Sequence, residues 1–233
     1  MAAQRINGLD WNGITGELDA NGAAVIGPLL APEECAVLVE AYGRPELFRS
    51  RVVMARHGFG RGEYQYFAAP LPSLVAELRE ALYARLAPVA NAWAARLRLP
   101  AFPDRHADYL ALCHAAGQTR PTPLLLRYGA GDYNCLHQDL YGDLAFPLQV
   151  AIVLDAPGRD FSGGEFVVTE QRPRMQSRVA VFNPGQGAAV VFAVNERPVA
   201  GARGDYRVRM RHGVSRLHSG QRHTLGVIFH DAR

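Results

Sequence analysis

Residues 206–212 read Tyr-Arg-Val-Arg-Met-Arg-His, with an arginine at every second position. Successive side chains of a β-strand point to opposite faces, so this period of two predicts a strand. The three arginines form one face of that strand. His212 lies on the other face with the apolar side chains, and we therefore expect its imidazole to point into the protein.

Similar short runs fill the chain from Leu124 onward, divided by glycine, proline and aspartate. Besides 206–212, the predicted strands are Leu124–Tyr128, Leu148–Leu154, Glu165–Thr169, Ala189–Phe192 and His223–Phe229. Many short strands without helices between them predict a β-sandwich or barrel, and not a parallel α/β sheet.

The first half of the chain has a helical pattern. Helices are predicted from Pro32 to near Gly43, from Ser73 to Leu86 with Pro88 as an interruption before Trp93–Leu99, and from Asp104 to Ala116, with short strands at Ala23–Ile26 and Arg51–Met54. No linker separates the two halves, so we expect one domain over residues 1–233. Its fold class is mainly β with flanking helices (α+β), in which 1–120 supply helical support and leading strands and 121–233 form the β core.

Composition narrows the class of protein. The chain has 233 residues, of which 48% are hydrophobic and 20% charged, which excludes disordered, collagen-like and coiled-coil proteins. Neither a membrane span nor a signal peptide is apparent, and we expect a cytoplasmic protein. Cys35, Cys113 and Cys135 are odd in number and form no C-x-x-C pair, which argues against a disulfide framework or a zinc knuckle.

The basic residues are unevenly distributed. All 25 are arginine, and residues 172–222 hold ten of them against two acids, a local charge of +8 in a chain whose net charge is +3. Such asymmetry indicates an anionic partner, with nucleic acid the first candidate. The alternative is a solvated basic face whose arginines pair with acids from the first half.

His137-Gln138-Asp139 is the motif that points to chemistry. At positions i and i+2 of an extended segment, both side chains project from one face, so an imidazole and a carboxylate can bind one metal ion. This donor pair favours Fe(II) or Mn(II) over a structural zinc site. His212 is the candidate third ligand, and the alternative for it is a core histidine satisfied by a hydrogen bond.

Together these residues resemble the Fe(II)/2-oxoglutarate-dependent dioxygenases, which are built on a double-stranded β-helix, or jelly roll. Their pattern of H-x-D, a distant histidine and a basic residue about ten positions later matches His137, Asp139, His212 and Arg222. Three further stretches match prolyl-4-hydroxylase-like members: Arg127–Tyr133 before the H-x-D motif, the Gly-Gly-Glu turn at Phe161–Glu165, and Gly220 two positions before Arg222. The C-terminal run 211–231 is similar to a bacterial subgroup predicted to demethylate damaged DNA oxidatively.

The resemblance implies roles for particular residues. His137, Asp139 and His212 would bind Fe(II), and Arg222 would bind the distal carboxylate of 2-oxoglutarate. Tyr128 and Thr224 are further candidates for that cosubstrate, although a tyrosine on a strand is equally well explained as a core residue. With O2, the reaction would hydroxylate a substrate C–H bond and release succinate and CO2, and an N-methyl group would leave as formaldehyde.

Other histidines compete for the third metal position. His218 is predicted beside a turn at Ser219-Gly220, and His223 faces away from Arg222 if the strand is regular. We therefore interpret both as solvent-facing or supporting residues. The remaining histidines are interpreted as structural: His57, His106, His114 and His230.

The substrate is less defined than the chemistry. Nucleic acid contacting the arginine-rich 172–222 region ranks ahead of a protein side chain, prolyl for example, and of a small metabolite. The alternative from another class is a non-catalytic, cupin-like metal or ligand binding module, which would have no need for Arg222 and Tyr128 as a carboxylate clamp. The aromatic stretch 59–67 is a candidate substrate lid or a cover of the barrel mouth. Oligomeric state, and iron or manganese as the metal, stay open.

Overall fold

The computed structural model describes residues 2–202 and 204–233. Its helices are α1 (Ala2–Asn7), α2 (Trp11–Asn21), α3 (Pro32–Ala41), α4 (Ser73–Leu97) and α5 (His106–Ala115), with 3-10 turns at Pro45–Leu47 and Met54–Arg56. Its strands are β1 (Ala23–Ile26), β2 (Phe48–Val53), β3 (Gly60–Arg61), β4 (Glu63–Phe67), β5 (Leu124–Gly129), β6 (Tyr133–His137), β7 (Leu148–Val153), β8 (Phe161–Gly163), β9 (Phe166–Gln171), β10 (Arg178–Phe182), β11 (Ala189–Ala193), β12 (Glu196–Gly201), β13 (Gly204–Val214) and β14 (Leu217–Val227).

The strands form two antiparallel sheets. The larger has the order β1-β11-β7-β14-β5-β4-β2, with β8 paired to β14, and the smaller has the order β10-β9-β13-β6-β3, with β12 paired to β13. The two sheets face each other, since the Phe192 ring of the larger sheet contacts Phe166 and His212 of the smaller. This arrangement confirms the predicted β-sandwich architecture with flanking helices.

Hydrophobic periodicity determines which faces are buried. On β13, Val208, Met210 and His212 are buried while the arginines between them are exposed, as the alternation predicts. In contrast, β7 and β11 are buried along their whole length, because they lie inside the larger sheet and are covered on both faces. The core therefore lies between the sheets and under the helices.

The interruption predicted at Pro88 is wrong. Helix α4 runs unbroken from Ser73 to Leu97 with Pro88 inside it. A proline removes one backbone hydrogen bond of the helix. Apolar side chains on both sides of it, such as Leu86 and Trp93, are buried in the main core. Their burial holds both halves of the helix on one axis.

The turn predicted at Ser219-Gly220 is also wrong. Strand β14 passes through both residues and pairs there with β8. Gly220 has φ of +79°, and a Cβ at this position would lie 1.9 Å from the Asp160 carbonyl oxygen. The glycine thus lets two strands approach closely, a role that local turn propensity does not distinguish from a turn.

The aromatic stretch 59–67 is part of the sheets. Its first part contains β3, which pairs with β6, and its second part is β4, which lies between β2 and β5. Tyr64 and Phe59 line the central cavity from there. Residues 59–67 therefore form a fixed wall of the cavity. Among the described residues, no helix is long and apolar enough to cross a membrane.

Candidate metal centre and adjoining cavity

Two neighbouring strands bring the three predicted metal-binding side chains together. His137 ends β6 and lies opposite His212 of β13 in the strand register, and Asp139 follows two residues after His137. One potential ligand atom from each residue lies within 4.8 Å of the other two. The Nε2 atoms of His137 and His212 are 3.5 and 3.4 Å from the two carboxylate oxygens of Asp139.

Hydrogen bonds orient this group. Nδ1 of His137 donates to the Cys135 carbonyl oxygen at 2.8 Å, which leaves Nε2 free to bind a metal. The hydroxyl of Tyr141 donates to Oδ1 of Asp139 at 2.7 Å. The His212 ring is fixed by packing against Phe166 and Phe192, with centroids 5.8 and 4.4 Å away.

The pKa shifts of the three side chains determine their charge, and Asp139 in particular stays ionised. Burial alone would raise the pKa of Asp139, but hydrogen bonds and charge from His137 and His212 hold it well below its usual range. Burial lowers the pKa of His212, which therefore offers a neutral imidazole. Burial also acts to lower the pKa of His137, but Asp139 outweighs it and the net shift is upward.

The donor set fits the metal that the sequence implies. Two imidazoles and one carboxylate on one face of an ion are the ligands typical of Fe(II) oxygenases, and they leave the opposite positions open. A structural zinc site would be closed and would favour thiolates. The geometry therefore suits Fe(II) or Mn(II).

A cavity of about 320 Å³ adjoins the three side chains and carries a buried arginine. Arg222 on β14 is only 2% exposed, and its Nη1 atom has no hydrogen-bond partner in the part of the chain that the structure describes. Its guanidinium lies 5.7 Å from the centroid of the Tyr128 ring and 5.9 Å from that of Phe161. An unpaired buried cation is costly, so the cavity is suited to an anionic ligand such as a carboxylate.

The other two predicted cosubstrate residues line the same cavity. Tyr128 lies opposite Arg222 in the β5–β14 register, and its hydroxyl accepts a 3.4 Å bond from Asn134. Thr224 is the next residue on the same face of β14, and its buried hydroxyl has no hydrogen-bond partner within residues 2–202 and 204–233. The structure thus brings all six predicted site residues to one cavity.

Two polar residues of this site were not predicted from the sequence. Tyr141 is the hydrogen-bond donor to Asp139, and its place two residues after that aspartate could have indicated the contact. Gln149 lines the cavity from β7, and its buried Oε1 accepts no hydrogen bond from any residue that the structure describes. One polar side chain inside the otherwise apolar run 148–153 was the signal there.

The remaining histidines lie elsewhere. His218 is exposed, and Nδ1 of His223 is paired with Asp155 at 3.0 Å. Exposed His57 stacks on Phe59 at the cavity mouth. The others hold the helical half and the C-terminus together: His106 on the Phe229 carbonyl, His114 on Asp231, and His230 on the Phe146 amide.

Four arginines of region 172–222 are paired with carboxylates within the protein. Arg172, Arg178 and buried Arg197 converge on the carboxylate of Glu170. Arg207 pairs with Glu196 at 3.1 Å. The acids come mainly from neighbouring strands and not, as the alternative supposed, from the first half of the chain.

Arg209 and Arg211 are two exposed arginines of that region on β13. His212 on the same strand faces the cavity, so the arginines, which alternate with the buried side chains, lie on the face that points away from it. Arg203 lies outside the described residues. The stretch therefore does not form one continuous basic surface next to the metal centre.

Residues 62–232 match the profile of a family described as "Oxygenase, catalysing oxidative methylation of damaged DNA". The chain belongs to this family. The match begins well before Arg127, where the motifs that carried the resemblance start, and it includes β4, α4 and α5. An uncharacterized protein of Mycobacterium tuberculosis, found in strains H37Rv and CDC 1551, is 51% identical to this oxygenase over 167 residues, 71% of the chain and 72% of the relative.

Solved structures share its fold at low sequence identity. A 2OG-Fe(II) family oxidoreductase from Burkholderia pseudomallei has a TM-score of 0.53 at 18% identity, over 97% of this chain and 94% of that one. A prolyl hydroxylase from Trichoplax adhaerens, solved with a hypoxia inducible factor peptide, has a TM-score of 0.56 at 15% identity, over 94% and 88%. The family match confirms the predicted oxygenase class, and the structural similarity confirms the jelly-roll fold.

Proposed function

We propose that this oxygenase binds Fe(II) through His137, Asp139 and His212 and binds 2-oxoglutarate through Arg222, and that it removes alkyl groups from nucleic-acid bases oxidatively. The observation that carries the proposal is the buried guanidinium of Arg222, whose Nη1 has no hydrogen-bond partner among the described residues and which lies in the same cavity as the three metal-binding side chains. A binding module that only held a metal would gain nothing from a second, buried cation beside it.

Each residue of the site has a defined task. Iron with 2-oxoglutarate and O2 would supply an oxidant strong enough to break a C–H bond. Asp139 offers a carboxylate that stays ionised, and His212 offers a neutral nitrogen. Arg222 neutralises the distal carboxylate of the cosubstrate, while Tyr128 and Thr224 donate hydrogen bonds from the cavity wall.

The lining of the cavity suits a flat substrate group. Half-buried Tyr64 lines it and offers an aromatic ring on which a base can stack. A base inside a duplex cannot reach such a site, so the substrate is single-stranded or flipped out of the helix. The family description, which names damaged DNA, supports nucleic acid over a protein. Hydroxylation of an N-methyl carbon gives an N–CH2OH group, which releases formaldehyde and restores the base.

Product analysis tests this proposal. Purified protein with Fe(II), 2-oxoglutarate and air is incubated with an oligonucleotide carrying N-methylated bases, and succinate and formaldehyde are measured. We expect equal amounts of both, and neither product above background from the Asp139→Ala variant. If succinate forms but none of the methylated oligonucleotides yields formaldehyde, the proposal of a nucleic-acid substrate is wrong.

The alternatives are tested in the same assay. A proline-containing peptide replaces the oligonucleotide, and hydroxyproline formation would favour the protein side-chain hydroxylase. Absence of succinate under all conditions, in folded protein that binds metal, would favour the non-catalytic binding module. The cytoplasmic location and the single domain stay predictions.

A further inference from the structure

The mouth of the cavity carries a patch of exposed apolar side chains. Phe59, Leu136 and Leu140 line the cavity and are 48%, 46% and 50% exposed. We call these three residues the mouth patch. Large apolar side chains clustered at the opening of a polar-centred cavity indicate a surface that contacts a partner.

The mouth patch is held in place by the sheet. The Phe59 carbonyl accepts a 2.9 Å hydrogen bond from the Cys135 amide, and β3 continues the pairing with β6. The Phe59 ring also stacks on His57, with centroids 5.3 Å apart. A fixed, exposed ring at the mouth offers a platform for a second flat ring without an ordering cost in the free protein.

Cations flank the mouth patch. Arg56 lies three residues before Phe59 and is exposed, and in the part of the chain that the structure describes it makes no ion pair. Arg61 lies two residues after Phe59, opposite Tyr133 on β6, and forms a 3.7 Å ion pair with Asp132. The side chains of Arg56 and Arg61 are both exposed, so an anion in solution can contact them.

The position of these cations decides between two candidate surfaces. Arg209 and Arg211 are exposed, but they lie on the outer face of β13, opposite to the cavity side that carries His212. A nucleotide whose base enters the cavity has its phosphates at the mouth. Arg56 and Arg61 lie within three residues of Phe59, which lines that mouth, whereas Arg209 and Arg211 lie on the face of β13 opposite to His212.

We propose that the mouth patch, with Arg56 and Arg61, is the docking surface for single-stranded nucleic acid, and that the arginine-rich 172–222 face is not. Apolar and aromatic side chains stack on unpaired bases, and arginines contact the adjacent phosphates. In a duplex the base faces are covered by their neighbours and cannot stack on Phe59. This inference rests on the proposed function, because it assumes that the substrate is a nucleic acid.

Binding measurements with paired variants test the surface. Fluorescence anisotropy reports the Kd of the Mn(II)-loaded protein for a labelled methylated single strand and for the matching duplex. We expect the single strand to bind more tightly than the duplex. Phe59→Ala should raise the Kd about 10-fold, the loss expected for one stacked base, and the double variant Arg56→Glu/Arg61→Glu should raise it at least as much and flatten its salt dependence.

Two controls have matched chemistry. The double variant Arg209→Glu/Arg211→Glu makes the same charge change on the outer face, and Leu112→Ala removes an apolar side chain that is 51% exposed on α5. Both should bind like the wild type. Mn(II) affinity and thermal unfolding of each variant show that the fold and metal centre are intact.

The opposite pattern would overturn the inference: weakened binding in the Arg209/Arg211 variant with wild-type binding in the mouth variants, or duplex bound as tightly as single strand. Failure of the proposed function looks different. In that case no oligonucleotide binds to any variant or raises succinate formation, and the surface assignment fails with it.

Discussion

The hydroxyl of Tyr141 donates a 2.7 Å hydrogen bond to Oδ1 of Asp139. Burial, with the Asp139 charge adding to it, raises the pKa of Tyr141 well above its ordinary value, so the hydroxyl stays protonated and remains a donor. The Tyr66 ring holds Tyr141 by an edge contact with centroids 6.1 Å apart. One oxygen of the carboxylate is therefore occupied, and the other is left to bind a metal as a single-oxygen ligand.

Removing this hydroxyl should weaken metal binding. In Tyr141→Phe the carboxylate loses its fixed orientation, and we expect the Kd for Mn(II) to rise about 10-fold, the lower range for loss of a supporting hydrogen bond. Calorimetric titration of the metal-free protein measures it. Tyr83→Phe is the control, because it removes a 2.7 Å hydroxyl bond to the Pro103 carbonyl in the helical half. Equal Mn(II) affinity in both variants would show that Tyr141 does not position Asp139.

Arg222 should contribute to ligand binding but not to the stability of the ligand-free protein. Because its buried Nη1 has no hydrogen-bond partner among the described residues, we expect Arg222→Leu to leave the free energy of unfolding without 2-oxoglutarate unchanged or higher. The same variant should bind 2-oxoglutarate about 100-fold more weakly, since a paired carboxylate–guanidinium contact is lost. Thermal unfolding with Mn(II), with and without 2-oxoglutarate, gives both quantities. A stabilisation by 2-oxoglutarate that survives in the variant would exclude Arg222 as its anchor.

Gly220 should be intolerant of a side chain. An added Cβ would lie 1.9 Å from the Asp160 carbonyl oxygen, and the φ of +79° already disfavours alanine. We expect Gly220→Ala to lower the free energy of unfolding by roughly 3 kcal/mol. Gly158→Ala separates the two effects, because Gly158 has φ of +80° with open space around it. Its cost should be about 1 kcal/mol, and equal costs at both positions in urea unfolding would refute the close approach.

Much of this architecture follows from local pattern. Alternation predicts which face of β13 is buried, and the i, i+2 spacing predicts that His137 and Asp139 converge. These features are local because strand geometry alone determines them. Helix α3 likewise begins at Pro32, the residue that its proline and following acids indicate.

The features that sequence analysis missed depend on tertiary packing. Helices α1 and α2 were not predicted from the sequence, because they contain few apolar positions. Short strands such as β3 and β8 form only because a neighbouring strand offers its edge. The pairing of Glu170 with three arginines joins residues distant in sequence, and so the 172–222 stretch looked like a free basic surface.

Acid should destabilise the protein through His106. Burial, together with the charge of Arg79, lowers the pKa of His106 to about 4, below the 6.5 of an unfolded chain. The unfolded state therefore binds the proton first, and stability falls as pH drops from about 6.5 to about 4. Between pH 7 and pH 5 this group should cost about 2 kcal/mol.

The variant His106→Gln isolates that contribution, because its amide can still donate to the Phe229 carbonyl that His106 contacts at 2.8 Å. Urea unfolding at pH 7 and pH 5 should show a smaller acid loss in the variant than in the wild type. The same loss in both proteins would mean that His106 titrates normally.

The central claim is that His137, Asp139 and His212 hold Fe(II) beside a 2-oxoglutarate site anchored by Arg222. Its most direct test is an anaerobic titration of the metal-free protein with Fe(II) and 2-oxoglutarate, followed by the visible charge-transfer band of the complex. We predict a band in the wild type, none in Asp139→Ala, and a band in Arg222→Ala that needs far more 2-oxoglutarate. A folded wild-type protein that shows no band, or an unchanged band in Asp139→Ala, would contradict the account.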